Sequence, residues 1–243
     1  MKTFGLKWDA DTLKFDTLFF HGYEIRKEKS SVTGFERIRY DRNAPFKRPI
    51  RFYDYYKETH SVQRPEFYLL PQAWKEVAER MKLNNVKMIP LANDSVVEAE
   101  VMYIDKYKAS SAPYEGHYVN TVQELRKQKE KVNVYKGDFL IPVNQSCNRY
   151  IVETLEPQGV DSWFTWGFFD AILQQKEWFS SYVFEDLADS LLKTDTKLRN
   201  DFNAKKESDS AFANDEFAQL YFIYQRSPYF EKSFRRYPVL RIY

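Results

Sequence analysis

The first half of the chain alternates hydrophobic and polar residues in the manner of β-strands. Residues 15–26 and 35–40 alternate in this way and are separated by turn formers at 30–34, which predicts a β-hairpin. Residues 41–49 are basic and contain prolines, so we predict a loop there. Residues 52–56 resume an extended aromatic stretch, so the chain begins with antiparallel strands.

The middle of the chain adds one helix and further strands. Residues 65–70 are predicted to form a strand, and Pro71 can start a helix whose apolar face is Trp74, Val77, Ala78 and Met81. Residues 86–91 and 96–107 flank the turn formers Asn93 and Asp94, which predicts two antiparallel neighbours.

The last part of the β-rich half has a weaker pattern. Residues 118–124 are weakly strand-like, and the charged residues 125–131 are predicted to form a turn region. A hairpin is predicted over 132–141, around Lys136, Gly137 and Asp138.

A helical period replaces the alternation from residue 146 onward. Helices are predicted at 146–155 and 166–175, and another through Phe179, Val183, Leu187 and Leu191. Asp195 is expected to cap a fourth helix and Asn214 a fifth. Strands followed by helices predict an α+β fold. The expected parts are a β-rich part at 1–143 and a helical block at 144–243 packed on it, with one single domain over 1–243 as the alternative.

Composition narrows the classes of function. The chain has 243 residues, of which 43% are hydrophobic and 30% charged, so it can bury a core. Its net charge of +2 disfavours nucleic acid as a partner, and the absence of a membrane-length apolar run predicts no membrane partner. The single cysteine, Cys147, excludes an internal disulfide and reads as a partly buried side chain. An aromatic content of 18% favours a large core or a binding surface.

Catalytic and metal-binding patterns are weak. The chain has three histidines, and His21 with Glu24 matches the His-x-x-Glu pair of zinc carboxypeptidases. On a strand, residues three apart project to opposite faces, so we predict that this pair binds no metal. We interpret two carboxylate pairs, Glu98 with Glu100 and Asp186 with Asp189, as solvent-exposed faces of a strand and of a helix. We therefore expect no catalytic residue and no metal or other cofactor in this chain.

Two groups of residues are candidates for ligand binding. Trp163 and Trp166 flank a short polar loop and form either an exposed platform or an anchor between helices and sheet, with the anchor favoured. Arg235 and Arg236 lie between aromatic residues and could hold an anion or sugar, although pairing with acidic helices or plain solvation explains them better.

A series of short motifs resembles the C-terminal extension of bacterial zinc carboxypeptidases of the carboxypeptidase A-like family. The early motifs are looser, and the later ones match in order and joint spacing. They are Phe20 to Glu24, Val32 to Gly34, Tyr40 with Asp41, Arg64 to Pro71, Gly116 to Tyr118, Gly137 to Pro142, Leu155 to Pro157, Asp161 with Ser162, Trp166 to Phe169, Gln175 to Glu177, Tyr182 with Val183, Arg226 to Tyr229, and Tyr237 to Arg241.

The resemblance implies a role beside an enzyme. It places zinc and catalysis in a separate domain, so no catalytic residue is carried over to this chain. The implied partner is a catalytic carboxypeptidase domain of the same polypeptide, with a secreted or periplasmic parent. A binding module for peptide or glycan, built on the surplus aromatic residues, is the alternative function.

Overall fold

The computed structural model describes residues 3–243 and divides the chain into two compact units, with the boundary between Arg64 and Pro65. Antiparallel strands dominate the first half and helices the second, so the predicted α+β class is confirmed. The strands are β1 Thr3–Ala10, β2 Asp16–Lys29, β3 Glu36–Phe52, β4 Tyr56–Gln63, β5 Phe67–Leu70, β6 Ile89–Pro90, β7 Ser95–Ala109, β8 Asn120–Val134, β9 Phe139–Pro142 and β10 Leu240–Ile242. The α-helices are α1 Lys75–Leu83, α2 Asn148–Leu155, α3 Ser181–Thr194, α4 Thr196–Ser208, α5 Ser210–Ala213 and α6 Glu216–Tyr224.

The first unit is built from two antiparallel strand pairs. Strand β1 pairs with β4, and β2 pairs with β3 along the whole hairpin, from Asp16 opposite Phe52 to Lys29 opposite Glu36. The predicted loop at 41–49 is wrong, because β3 continues through it. Both strands of a two-stranded ribbon are edges, so prolines are tolerated there when their nitrogen faces outward. An irregularity opposite Tyr23 and Glu24 takes up the extra residues of β3.

The second unit is organised around one six-stranded antiparallel sheet. Its strand order is β6-β9-β5-β10-β7-β8, so the strand at the end of the chain lies in the interior of the sheet. The predicted boundary at residue 143 falls inside this unit. Strand β10 follows the helices in the chain and pairs with β5 and β7, which joins the helical half to the sheet.

Three predictions about the strands of this sheet are wrong. Strand β8 runs through residues 125–131, where the charges predicted a turn, because an edge strand tolerates charged side chains and is protected by them. Strand β8 pairs with β7 and not with β9, so the predicted hairpin at 132–141 is wrong. Strands β6 and β7 are likewise not neighbours.

The helical half follows the hydrophobic pattern more closely. Helix α1 buries Val77, Ala78 and Met81 as predicted, and the Asp195 side chain caps α4 by accepting from the Leu198 N–H at 2.9 Å. The cap of α6 is Asp215, next to the predicted Asn214. The helix predicted at 166–175 is a series of turns ending in a short 3-10 helix, Asp170–Leu173.

Some of the aromatic residues lie in a core between these helices. A buried cluster joins α3, α4, α5 and α6, and its rings contact one another edge to face, as Phe202 and Phe212 do at 5.8 Å between centroids. The buried members are Phe184, Ala188, Leu198, Phe202, Phe212, Leu220, Phe222, Ile223 and Tyr224. Among residues 3–243, no helix is long and apolar enough to cross a membrane.

Candidate functional site

A buried ion pair joins two of the sequence motifs. Arg241 on β10 donates from Nε to Oε1 of Glu156 at 2.9 Å and from Nη2 to Oε2, which makes a bidentate pair. Both residues are 1% exposed. Arg241 also donates from Nη1 to Glu100 Oε1 at 2.6 Å, and the Tyr68 hydroxyl donates to Glu156. The motifs around Glu156 and Arg241 are therefore held together in the interior.

The surroundings of this pair shift the pKa values of Arg241 and Tyr68. Burial alone would lower the pKa of Arg241. The carboxylate of Glu156 raises the pKa by a larger amount, so the pKa of Arg241 lies above its usual value. Burial and the negative charge of Glu156 raise the pKa of Tyr68 well above its usual value. Both Glu156 oxygens accept hydrogen bonds from protein groups, so neither oxygen is left unpaired in the interior, and removal of one partner would be costly. Sequence reasoning singles out both motifs without predicting this contact.

Trp163 lies inside the protein. It is 9% exposed, and its ring meets Phe168 edge to face at 4.9 Å between centroids. Its backbone N–H donates to the Thr154 carbonyl at 2.9 Å, which connects the loop to α2. This environment matches the anchoring interpretation of Trp163, and it does not provide an exposed platform.

Trp166 borders an open groove, which we call the aromatic groove. The indole Nε1 donates to Asp161 Oδ1 at 3.3 Å, and the ring contacts His117 edge to face at 5.7 Å. Burial raises the pKa of Asp170 at the groove, against the hydrogen bond that Asn120 donates to it. The groove has a volume of about 600 Å³ and is lined by Ala73, Trp74, Lys75, Glu76, Val77, Gly116, His117, Tyr118, Trp166, Gly167, Phe168 and Asp170.

Arg235 and Arg236 lie together in a second cavity, which we call the arginine groove. It has a volume of about 1110 Å³ and lies beside β7, β8 and the segment after α6. Its lining residues are Tyr103, Asp105, Arg126, Gln128, Glu130, Lys131, Val132, Asn133, Tyr135, Gln225, Arg226, Phe230, Glu231, Lys232, Phe234, Arg235 and Arg236. The structure therefore separates the two tryptophans from the two arginines.

His21 and Glu24 do not meet on one metal. They lie on β2, where His21 is opposite Lys47 and Glu24 is opposite Asp41, and residues three apart on a strand face opposite sides. The carboxylate of Glu24 pairs with Arg48. Within residues 3–243, no three His, Cys, Asp or Glu side chains converge as metal ligands would. The donors present therefore do not fit a zinc site.

Known proteins show a distant likeness to part of the chain. No family model matches it, and neither does any solved structure. Carboxypeptidase 2 of Trichophyton tonsurans is 27% identical over 104 residues, which are 43% of this chain and 19% of that protein. Carboxypeptidase 2 of Trichophyton equinum and of Trichophyton rubrum match with the same identity and the same coverage.

The likeness covers a small part of these relatives. The chain spans about a fifth of the length of the curated relatives that it matches. The relatives are fungal, so a bacterial origin and a C-terminal position remain predictions from the motifs. The chain contains a region distantly related to carboxypeptidases.

Proposed function

We propose that this chain is a non-catalytic accessory region of a zinc metallocarboxypeptidase, C-terminal to the peptidase domain that carries the zinc. In this role it contacts that domain and supports its fold or shapes access to its cleft. The distant likeness to carboxypeptidases supports the choice of parent. The observation that carries the accessory role is an exposed apolar face on the β2–β3 hairpin.

The outer half of this hairpin has two different faces. Ile25 lies directly opposite Tyr40, and Ile38 lies opposite Lys27, so these side chains share one side of the ribbon. Ile25, Ile38 and Tyr40 are 56%, 60% and 63% exposed. Apolar side chains that project from one face of a long ribbon are typical of a surface that a partner covers.

The opposite face of the same ribbon is charged. Arg26 pairs with Asp41 at 2.5 Å, and Glu28 pairs with both Arg37 and Arg39. These pairs lie one residue along from the apolar positions, as strand alternation requires. One face of the ribbon therefore carries Ile25, Ile38 and Tyr40 beside the ion pair of Lys27 with Glu36, whereas the other face carries only charged side chains.

A binding module for peptide or glycan is the second candidate function. The aromatic groove favours it, because Trp74, Trp166 and Phe168 offer rings beside the polar groups of His117 and Asp170. Trp163 is buried and contributes no exposed ring to such a surface. The exposed side chains of the hairpin therefore support the accessory role, and the aromatic groove supports the binding module. We give the hairpin more weight.

An assay of the purified 243-residue chain separates these functions. We expect it to release no C-terminal residue from peptide substrates and to bind substoichiometric zinc, because the donors in residues 3–243 do not converge. We also expect peptides and oligosaccharides to leave its tryptophan fluorescence unchanged. A fluorescence change that disappears in Trp166→Ala, without hydrolysis, would favour the binding module. Stoichiometric zinc together with chelator-sensitive hydrolysis would overturn both functions.

A further inference from the structure

More cationic than acidic side chains line the arginine groove. Six cationic and three acidic side chains line it. Two of these cationic residues, Arg235 and Arg236, each have a buried Nε without a hydrogen-bond acceptor among residues 3–243. Buried polar groups in proteins are nearly always hydrogen-bonded, so two unmet guanidinium donors in one cavity indicate a missing partner.

The acidic residues of the groove already have other partners. Asp105 accepts from Arg126 Nε at 3.0 Å and from Nη2 at 3.3 Å. Glu130 accepts from the Tyr103 hydroxyl at 2.9 Å. Glu231 accepts from the backbone N–H of Lys176 at 2.7 Å. None of these contacts is an ion pair with Arg235 or Arg236, so the excess positive charge of the groove remains.

Backbone contacts hold the two arginines in position. Arg235 adopts φ +57°, which is uncommon for a residue with a side chain, and its N–H donates to the Ile172 carbonyl at 2.8 Å. Ile104 donates to the Arg235 carbonyl at 2.9 Å, and Arg236 forms a β-bridge with Tyr103. A site held in advance loses little conformational entropy when a ligand binds.

The two arginine side chains differ in how many of their hydrogen-bond donors already have partners. Arg235 donates from Nη1 to the Asp105 carbonyl at 2.7 Å, and its guanidinium lies 5.1 Å from the Phe234 ring centroid. Arg236 forms no ion pair within residues 3–243, so its charge has no acidic partner there, and the two terminal nitrogens of its guanidinium form a donor fork. Such a fork suits two oxygens of one anion.

We propose that the arginine groove binds the tetrahedral dianion of a phosphate monoester, held by the guanidinium of Arg236 with Arg235 beside it. A dianion matches the surplus of positive charge better than a single carboxylate does. The cavity, at about 1110 Å³, is larger than the anion alone requires. Tyr103, Phe230 and Phe234 line the remaining space, where the organic part of an ester can pack against rings. The inference does not depend on the accessory role proposed above.

Calorimetric titration of the purified chain with inorganic phosphate and with sulfate, at constant ionic strength, tests the site. We expect saturable binding of both, and a loss of at least about tenfold in affinity in Arg236→Gln, because a charged hydrogen-bonding group is removed. Arg236→Lys should also bind more weakly, since lysine keeps the charge but lacks the fork. Phenyl phosphate, a dianion, should then bind more tightly than phenyl sulfate, a monoanion of the same shape, and more tightly than inorganic phosphate because its ring can pack against the aromatic lining.

Arg126→Gln is the matched control. Arg126 lines the same groove and is paired with Asp105, so its replacement should change affinity much less. Unchanged circular dichroism spectra establish that each variant is folded. Absence of phosphate and sulfate binding, equal binding of acetate or chloride, or wild-type affinity in Arg236→Lys would each overturn the proposal.

Discussion

Replacement of Arg241 with methionine should lower the free energy of unfolding by about 3–5 kcal/mol, because it leaves Glu156 charged and buried without its partner. Methionine retains much of the apolar stem of arginine, so the lost ion pair dominates the effect. Urea unfolding followed by tryptophan fluorescence measures this loss. Four of the five tryptophans lie in the second unit, so the signal reports on the sheet that contains Arg241.

An exposed ion pair supplies the control for this experiment. Lys75 and Glu79 pair at 3.6 Å on the surface of α1, and Glu79→Ala should cost less than about 1 kcal/mol. The double variant Glu156→Leu with Arg241→Met should lose less stability than the two single variants together, because neither charge is then left alone. Equal losses in Arg241→Met and Glu79→Ala would contradict a buried ion pair.

Gly159→Ala should destabilise the same region by about 1–3 kcal/mol, because there is no room for a side chain. A Cβ at this position would lie 2.1 Å from the Glu153 carbonyl oxygen and 3.1 Å from that of Glu156. Both contacts are with backbone atoms, so the end of α2 and the turn that carries Glu156 would have to shift. The melting temperature and the urea midpoint of the variant measure this effect.

Gly116→Ala is the comparison for steric crowding. Gly116 has φ +83°, and a Cβ at this position would meet no atom within 4 Å, so only backbone strain of about 1–2 kcal/mol applies. Gly159 has no such positive φ, and its cost is purely steric. A normal stability for Gly159→Ala would show that the turn after α2 is less constrained than its contacts indicate.

The sequence predicts the elements whose signals are local. Asp195 is recognisable as a cap because its side chain satisfies a backbone N–H three residues later. The strand over residues 15–26 is recognisable because the two-residue alternation of a β-strand repeats along many residues. Strand β8 escapes prediction because its charged residues depend on its position at the edge of the sheet, which no local pattern contains.

The candidate sites show the same division between local and long-range information. Residue type singles out Trp163, Trp166, Arg235 and Arg236, but their separation into core, aromatic groove and arginine groove depends on the fold. The contact between Glu156 and Arg241 joins residues 85 positions apart. Their two motifs are visible in the sequence, and only the sheet order places β10 where Arg241 can reach the end of α2.

The accessory role is tested most directly by the affinity of this chain for the peptidase domain of the same polypeptide, measured with separately purified partners. Ile25→Ser with Tyr40→Ser removes the facing apolar pair of the hairpin. Each such side chain is worth about 1.5–3 kcal/mol when buried, so affinity should fall more than about tenfold. Arg26→Ser with Arg39→Ser, the adjacent facing pair on the charged side, should leave affinity nearly unchanged. No binding by the unaltered chain, or equal affinities of the two variants, would contradict the account.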